Sequence, residues 1–251
     1  MLLAIDVGNT LTKFSVFDGE CLISSFKIRS DTRQSEDEQR LVLLSFLNSL
    51  DEKIKLSKVI ISSVVPPLTH IWASISKKCL KIRPHIMGPG LKCGIPIKVD
   101  DPSSVGSDLI ADAVGALKLY GAPCLIVDMG TATKYILLDK DGCFGGVAIA
   151  PGFGISMDSL VNKTSALPEV SAIAPKKVIG RNTNDSMNSG IVYGTVYQIR
   201  GFAESIEKEC GYPLKKILTG GYAKFVSKHL PEFIWDEDVL MIGLHEIEER
   251  N

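Results

Sequence analysis

One short pattern occurs twice in this chain, and it narrows the folds open to it. The apolar, β-prone run Leu2-Leu3-Ala4-Ile5 reaches Asp6-Val7-Gly8-Asn9-Thr10, and an alternating segment, Lys13-Phe14-Ser15-Val16-Phe17, then runs into an Asp18-Gly19 turn. At Cys124 the pattern starts again: Leu125-Ile126-Val127, then Asp128-Met129-Gly130-Thr131-Ala132-Thr133, then Tyr135-Ile136-Leu137-Leu138 and a turn at Asp139-Lys140-Asp141-Gly142. Strand, Asp-x-Gly loop, strand and turn at two places is the trace that an internal duplication leaves.

Between and after these repeats, strand and helix signals alternate. Cys21 to Ile28 reads as a third strand. Leu41, Leu44, Leu47 and Leu50 fall at helical spacing, and Lys58 to Val65 is a continuous buried-strand run stopped by Pro66-Pro67. A helix is expected from Leu68 to Leu80. Another should carry Ile110, Ala113, Val114 and Leu117 on one face and close at Gly121. The second half adds a strand at Gly145-Gly146, helices at 155–161 and after Thr183, a strand at Ile217-Leu218 running into Gly220-Gly221, and a C-terminal helix. Two α/β lobes follow, 1–121 and 122–251.

Composition removes several functional classes. With 251 residues, a formal charge of −1 and scattered basic residues, the chain lacks the footprint of a nucleic-acid or anionic-membrane binder. No apolar run approaches a membrane span, and the N-terminus does not read as a signal peptide. The six cysteines lie far apart without a C-x-x-C pair, as reduced thiols of a cytoplasmic protein do. His70, His85, His229 and His245 are isolated, so neither a Cys/His zinc site nor a histidine-based nucleophilic triad is visible. A small-molecule ligand is expected.

Glycine after a strand lets backbone N–H groups turn toward phosphate oxygens. Around Gly8, the residues Asn9, Thr10 and Thr12 add donors and Lys13 adds charge; around Gly130, Thr131 and Thr133 supply hydroxyls. Asp6 and Asp128 stand where a carboxylate could hold a metal ion or its waters beside phosphates. A single Asp-x-Gly is an ordinary strand-end turn; two in matched contexts favour the phosphate reading. Neither loop is a G-x-x-x-x-G-K-[ST] P-loop or a dinucleotide G-x-G-x-x-G. Asp108, after Val105-Gly106-Ser107, is either a dipole-complementing first-turn residue or the base for phosphoryl transfer to a hydroxyl. Thr183 reads as a helix N-cap, and Ser189, Gly190 and Gly194 permit close packing of that helix, internally or in a dimer.

Taken together, Asp6 to Thr10, Ser62-Ser63-Val64-Val65-Pro66, Gly106-Ser107-Asp108, Asp128 to Thr133, Ala150-Pro151-Gly152, Ile179-Gly180-Arg181-Asn182-Thr183 and Thr219-Gly220-Gly221 resemble, in order, the motifs of the type III pantothenate kinases. The resemblance implies a duplicated ribonuclease-H-like, actin-like (ASKHA) α/β fold, two similar lobes with the active site in the cleft, and a homodimer. It implies phosphorylation of pantothenate by ATP, with Mg2+ and a monovalent cation, K+ or NH4+. By position, Asp6, Val7, Gly8, Asn9, Thr10, Leu11, Thr12, Lys13 and Thr131 would contact ATP. Asp128 would bind the monovalent cation, Asp108 would accept the proton, and Gly106, Ser107, Asp108, Leu109 and Thr183 would line the pantothenate site. Two positions depart from the family: Leu109 replaces an arginine, and Val99 replaces a tyrosine before Asp100-Asp101-Pro102. Losing that arginine removes a charge-assisted contact worth about 1.5–3 kcal/mol, unless Leu109 packs the helix and Lys98 or Arg181 offers the charge. The alternatives are a kinase of another small alcohol, a phosphohydrolase on the same fold, and a non-catalytic ATP-binding module.

Overall fold

The computed structural model describes residues 1–50, 54–162 and 172–251. Along the chain run β1 (Leu2–Val7), β2 (Leu11–Asp18), β3 (Cys21–Arg29), α1 (Glu36–Ser49), β4 (Lys58–Ser63), α2 (Pro66–Lys78), β5 (His85–Ile86) and α3 (Ser107–Tyr120). They are followed by β6 (Cys124–Met129), β7 (Ala132–Leu138), β8 (Phe144–Pro151), α4 (Phe153–Asn162), α5 (Thr183–Cys210), β9 (Lys215–Thr219), β10 (Ile234–Trp235) and α6 (Val239–Glu248). Two compact units form: Met1–Ile95 with Asp100–Lys118 and Val239–Asn251, and Pro96–Val99 with Leu119–Asp238.

Each unit is built on a five-stranded mixed sheet, ordered β3-β2-β1-β4-β5 in the first and β8-β7-β6-β9-β10 in the second. The second sheet repeats the first strand for strand. β1 pairs antiparallel with β2 and parallel with β4; β6 pairs antiparallel with β7 and parallel with β9. The repeated Asp-x-Gly loops therefore occupy the same place in both units, at the end of the central strand.

The central strands read as unbroken apolar runs because both of their faces are covered. Leu2, Leu3, Ala4, Ile5 and Val7 are all buried, as is every residue of β6. In the first unit Leu3, Ile5, Val7, Phe14, Val59 and Ile61 pack with Leu43 and Trp72 from α1 and α2. In the second, Leu125, Val127, Met129 and Tyr135 pack with Phe153, Val192, Val196 and Ile199. Each buried aliphatic side chain of this kind contributes about 1.5–3 kcal/mol of transfer free energy.

Four details differ from the sequence reading. Strand β4 stops at Ser63, because Pro66 and Pro67 already begin α2 and leave Val65 as its N-cap. Helix α1 begins at Glu36 behind a Ser35–Glu38 capping box, and that start sets its phase. Leu43 is buried and Phe46, Leu47 and Leu50 pack against the core, whereas Leu41 is exposed. The N-cap of α5 is Asn182, whose side chain accepts the Asp185 amide hydrogen at 2.8 Å, so Thr183 is the first helical residue. Finally, α6 belongs with the first unit although it ends the chain: Val239, Met241, Leu244 and Ile247 are buried and the helix packs on β1 and β4.

Candidate active site

In the first unit the chain turns from β1 to β2 in a tight loop, closed by a hydrogen bond from Gly8 N to Leu11 O at 3.0 Å. Asn9, Thr10 and Leu11 are exposed at this turn. Asp6 and Lys13 are direct cross-strand partners, so their side chains leave the sheet on one face. Val7 points into the core and the Thr12 hydroxyl bonds Ser30 Oγ at 2.9 Å; these two residues hold the loop rather than present side chains outward.

The same sheet positions Asp108. Parallel pairing sets Asp6 beside Ser62 on β4. The buried Ser62 hydroxyl meets Ser107 Oγ at 3.0 Å, and Ser63 N donates to the same oxygen at 3.2 Å. Ser107 is the first residue of α3, so these bonds tie the helix N-terminus to the end of β4. Asp108 follows it, half-buried, with Oδ1 accepting the Leu109 amide hydrogen at 3.0 Å. A Cβ on Gly106 would lie 2.6 Å from that oxygen, so the absent side chain is what lets the carboxylate fold back. Gly106→Ala should therefore push the carboxylate aside and lower kcat about a hundredfold, the usual cost of misplacing a reacting group by about 1 Å. Steady-state kinetics beside a thermal melt would check this, the melt moving little.

In the second unit Asp128 repeats Asp6, and Thr219 repeats Ser62 as its parallel neighbour. The β6–β7 turn closes from Gly130 N to Ala132 O at 3.1 Å, with Thr131 exposed and Thr133 buried. The backbone at Gly152 crosses the Thr131 carbonyl with no room for a side chain. Lys134 was not singled out from sequence. It is the direct partner of Asp128, as Lys13 is of Asp6, and its Nζ donates to Asp128 Oδ2 at 2.7 Å. The duplicated pattern carried the signal: a lysine in the second strand, opposite the aspartate, in both halves.

The remaining residues separate clearly. Leu109 is buried, with 7 % of its surface exposed, so it packs α3 and does not stand in for the arginine. Lys98 is ion-paired to Asp139 and Asp141 at 3.1 and 3.3 Å, and its bonds to Asp139, Cys143 and Asp141 push its pKa above the ordinary lysine value. Arg181 and Thr183 are exposed at the start of α5, where Gly180 lies against the helix backbone. Among the described residues no three His, Cys, Asp or Glu side chains gather to hold a metal. A divalent ion can be held by one or two carboxylates together with nucleotide phosphates, a common arrangement for magnesium.

The duplicated sheet order and the Asp-bearing loops define an actin-like ATPase fold. Solved structures agree in fold: a putative Baf family transcriptional activator from Campylobacter jejuni superimposes with a TM-score of 0.64 at 17% identity, covering 99% of this chain and 98% of that one. A putative 2-dehydro-3-deoxygalactonokinase from Sinorhizobium meliloti gives 0.61 at 12% identity, covering 100% and 96%. The family model for type III pantothenate kinase matches residues 2–205. Curated type III pantothenate kinases from Myxococcus xanthus and Halalkalibacterium halodurans are 40% and 38% identical, covering all of this chain and 99% and 100% of their own. The chain belongs to the type III pantothenate kinase family, and is a kinase.

Proposed function

We propose that this protein transfers the γ-phosphoryl group of ATP to the primary hydroxyl of pantothenate, the first step toward coenzyme A. The observation that carries the reading is the placement of Asp108: Ser107 pins it to the strand beside Asp6, and Gly106 leaves its carboxylate room. Asp108 takes the hydroxyl proton as the oxygen forms its bond to the γ-phosphorus; the bond to the β–γ bridging oxygen breaks and ADP leaves. The Asp6–Lys13 loop receives the phosphates, with Asn9 and Thr10 exposed to donate and Lys13 supplying charge. Asp6 would hold a divalent ion such as Mg2+ together with the phosphates, and that ion would supply positive charge to the transferring group.

Gly106, Ser107, Leu109 and Thr183 are assigned to the pantothenate site and Thr131 to ATP; Leu109 would contribute shape rather than charge. Exposed Arg181 is the better placed of the two candidate cations for a carboxylate, since Lys98 is bound to two aspartates. Asp128 holds a single positive charge beside the second loop. A homodimer through α5 is supported by Gly190 and Gly194, where an added Cβ would meet nothing within 4 Å, and by the half-exposed Tyr197. A cytoplasmic setting suits the six free cysteines.

The purified protein with ATP and Mg2+ is expected to phosphorylate pantothenate in preference to a panel of sugars and simple alcohols. Faster turnover of another alcohol would move the substrate assignment. Equal ADP release with no acceptor present would make the protein a phosphohydrolase.

A further inference from the structure

The resemblance assigns Asp128 to an exogenous potassium or ammonium ion, and the surroundings of Asp128 do not fit one. Lys134 Nζ donates to Oδ2 at 2.7 Å, with the two side chains only 18 % and 10 % exposed. The pair is fixed by backbone register, because Asp128 and Lys134 face each other directly across β6 and β7. Gly220 closes on the other carboxylate oxygen: a Cβ there, at φ +91°, would lie 2.5 Å from Oδ1 and 2.6 Å from Met129 N. A second cation against this carboxylate would meet the lysine's charge at bonding distance in a half-dry site, where like charges repel far more than in water.

The chemistry of Lys134 suits the role that the resemblance gives to the ion. A lysine ammonium carries the same single charge as potassium or free ammonium, and its compact head is close to both in size. It is tethered, so no ion has to be captured from solution. We propose that Lys134 is a built-in monovalent cation, standing at Asp128 in place of potassium or ammonium, and that the enzyme is consequently independent of both ions. This rests on the kinase reading only for its activity arm.

The test compares wild type and Lys134→Ala in choline, potassium and ammonium chloride at constant ionic strength. Wild type is expected to show the same kcat/KM for pantothenate and the same melting temperature in all three salts. Lys134→Ala should lose about a hundredfold in kcat/KM in choline, as when one preorganised charge is removed from a reacting site. Potassium or ammonium should restore most of that activity and raise its melting temperature by about 4 °C at saturation. Potassium activation of wild type, or potassium-specific stabilisation of it, would overturn the proposal. So would a folded Lys134→Ala protein that neither ion restores or stabilises. Should Lys134→Ala fail to fold, the wild-type salt series decides alone. Should wild type not phosphorylate pantothenate, the functional reading fails, and the melting series still decides the cation.

Discussion

An Asp108→Asn enzyme is expected to lose kcat by about 10²- to 10⁴-fold, the range spanned by removal of a general base, while keeping its fold and its affinity for ATP. The amide is the same shape as the carboxylate, and its oxygen can still accept the Leu109 amide hydrogen that orients Asp108 at 3.0 Å. What it cannot do is take the hydroxyl proton. Steady-state kinetics, nucleotide titration and a thermal melt on one preparation separate these effects. Loss of stability in step with activity would make Asp108 a structural first-turn residue. An unchanged kcat would remove it from the reaction altogether.

The second large effect is expected far from the chemistry. Helices α3 and α6 cross through two glycines: a Cβ on Gly115 would run into the Val239 carbonyl, and one on Gly243 into the Ala111 carbonyl. The contact is reciprocal, each glycine receiving the other helix's backbone, so neither side has a flexible side chain that can yield. Gly115→Ala gains about 1 kcal/mol of helix propensity, but forcing the helices apart should leave a net loss of about 3 kcal/mol. At about 2–4 °C per kcal/mol for a protein of this size, the melting temperature should fall by roughly 10 °C. Calorimetry on Gly115→Ala and Gly243→Ala checks this; a change in melting temperature within a degree or two for both would contradict the crossing. Because α3 begins with Ser107 and Asp108, a folded variant should also lose activity.

These two cases mark what a sequence displays and what it conceals. The central strands were legible because they are covered on both faces and hence apolar throughout, and the Asp-x-Gly loops because they interrupt such runs at matched places. The serines of β4 stood out only as part of a motif; their work, bonding Ser107 to the end of the strand, needs the parallel register between β1 and β4 to become visible. Gly115 and Gly243 are silent in sequence, since a glycine inside a helix announces nothing until a second backbone is brought against it.

Other differences have equally physical sources. Helix α1 carries apolar residues on more than one side, so spacing alone did not set its phase, and the Ser35 cap did. Asn182 and Thr183 are both competent caps, and the choice between them is one of backbone dihedral: Asn182 is extended while Thr183 is already helical. The two-residue strands β5 and β10 are too short for any periodicity to register. Lys134 is inconspicuous in the sequence because a lysine in an exposed-looking strand is unremarkable until its cross-strand partner is known to be an aspartate.

The most direct measurement of the central claim is the fate of the transferred group. With γ-labelled ATP, Mg2+ and pantothenate, mass spectrometry should find the label on 4′-phosphopantothenate, formed mole for mole with ADP and at least about a hundredfold more slowly when Asp108→Asn replaces wild type. Label recovered as inorganic phosphate, with the pantothenate unmodified, would contradict the account.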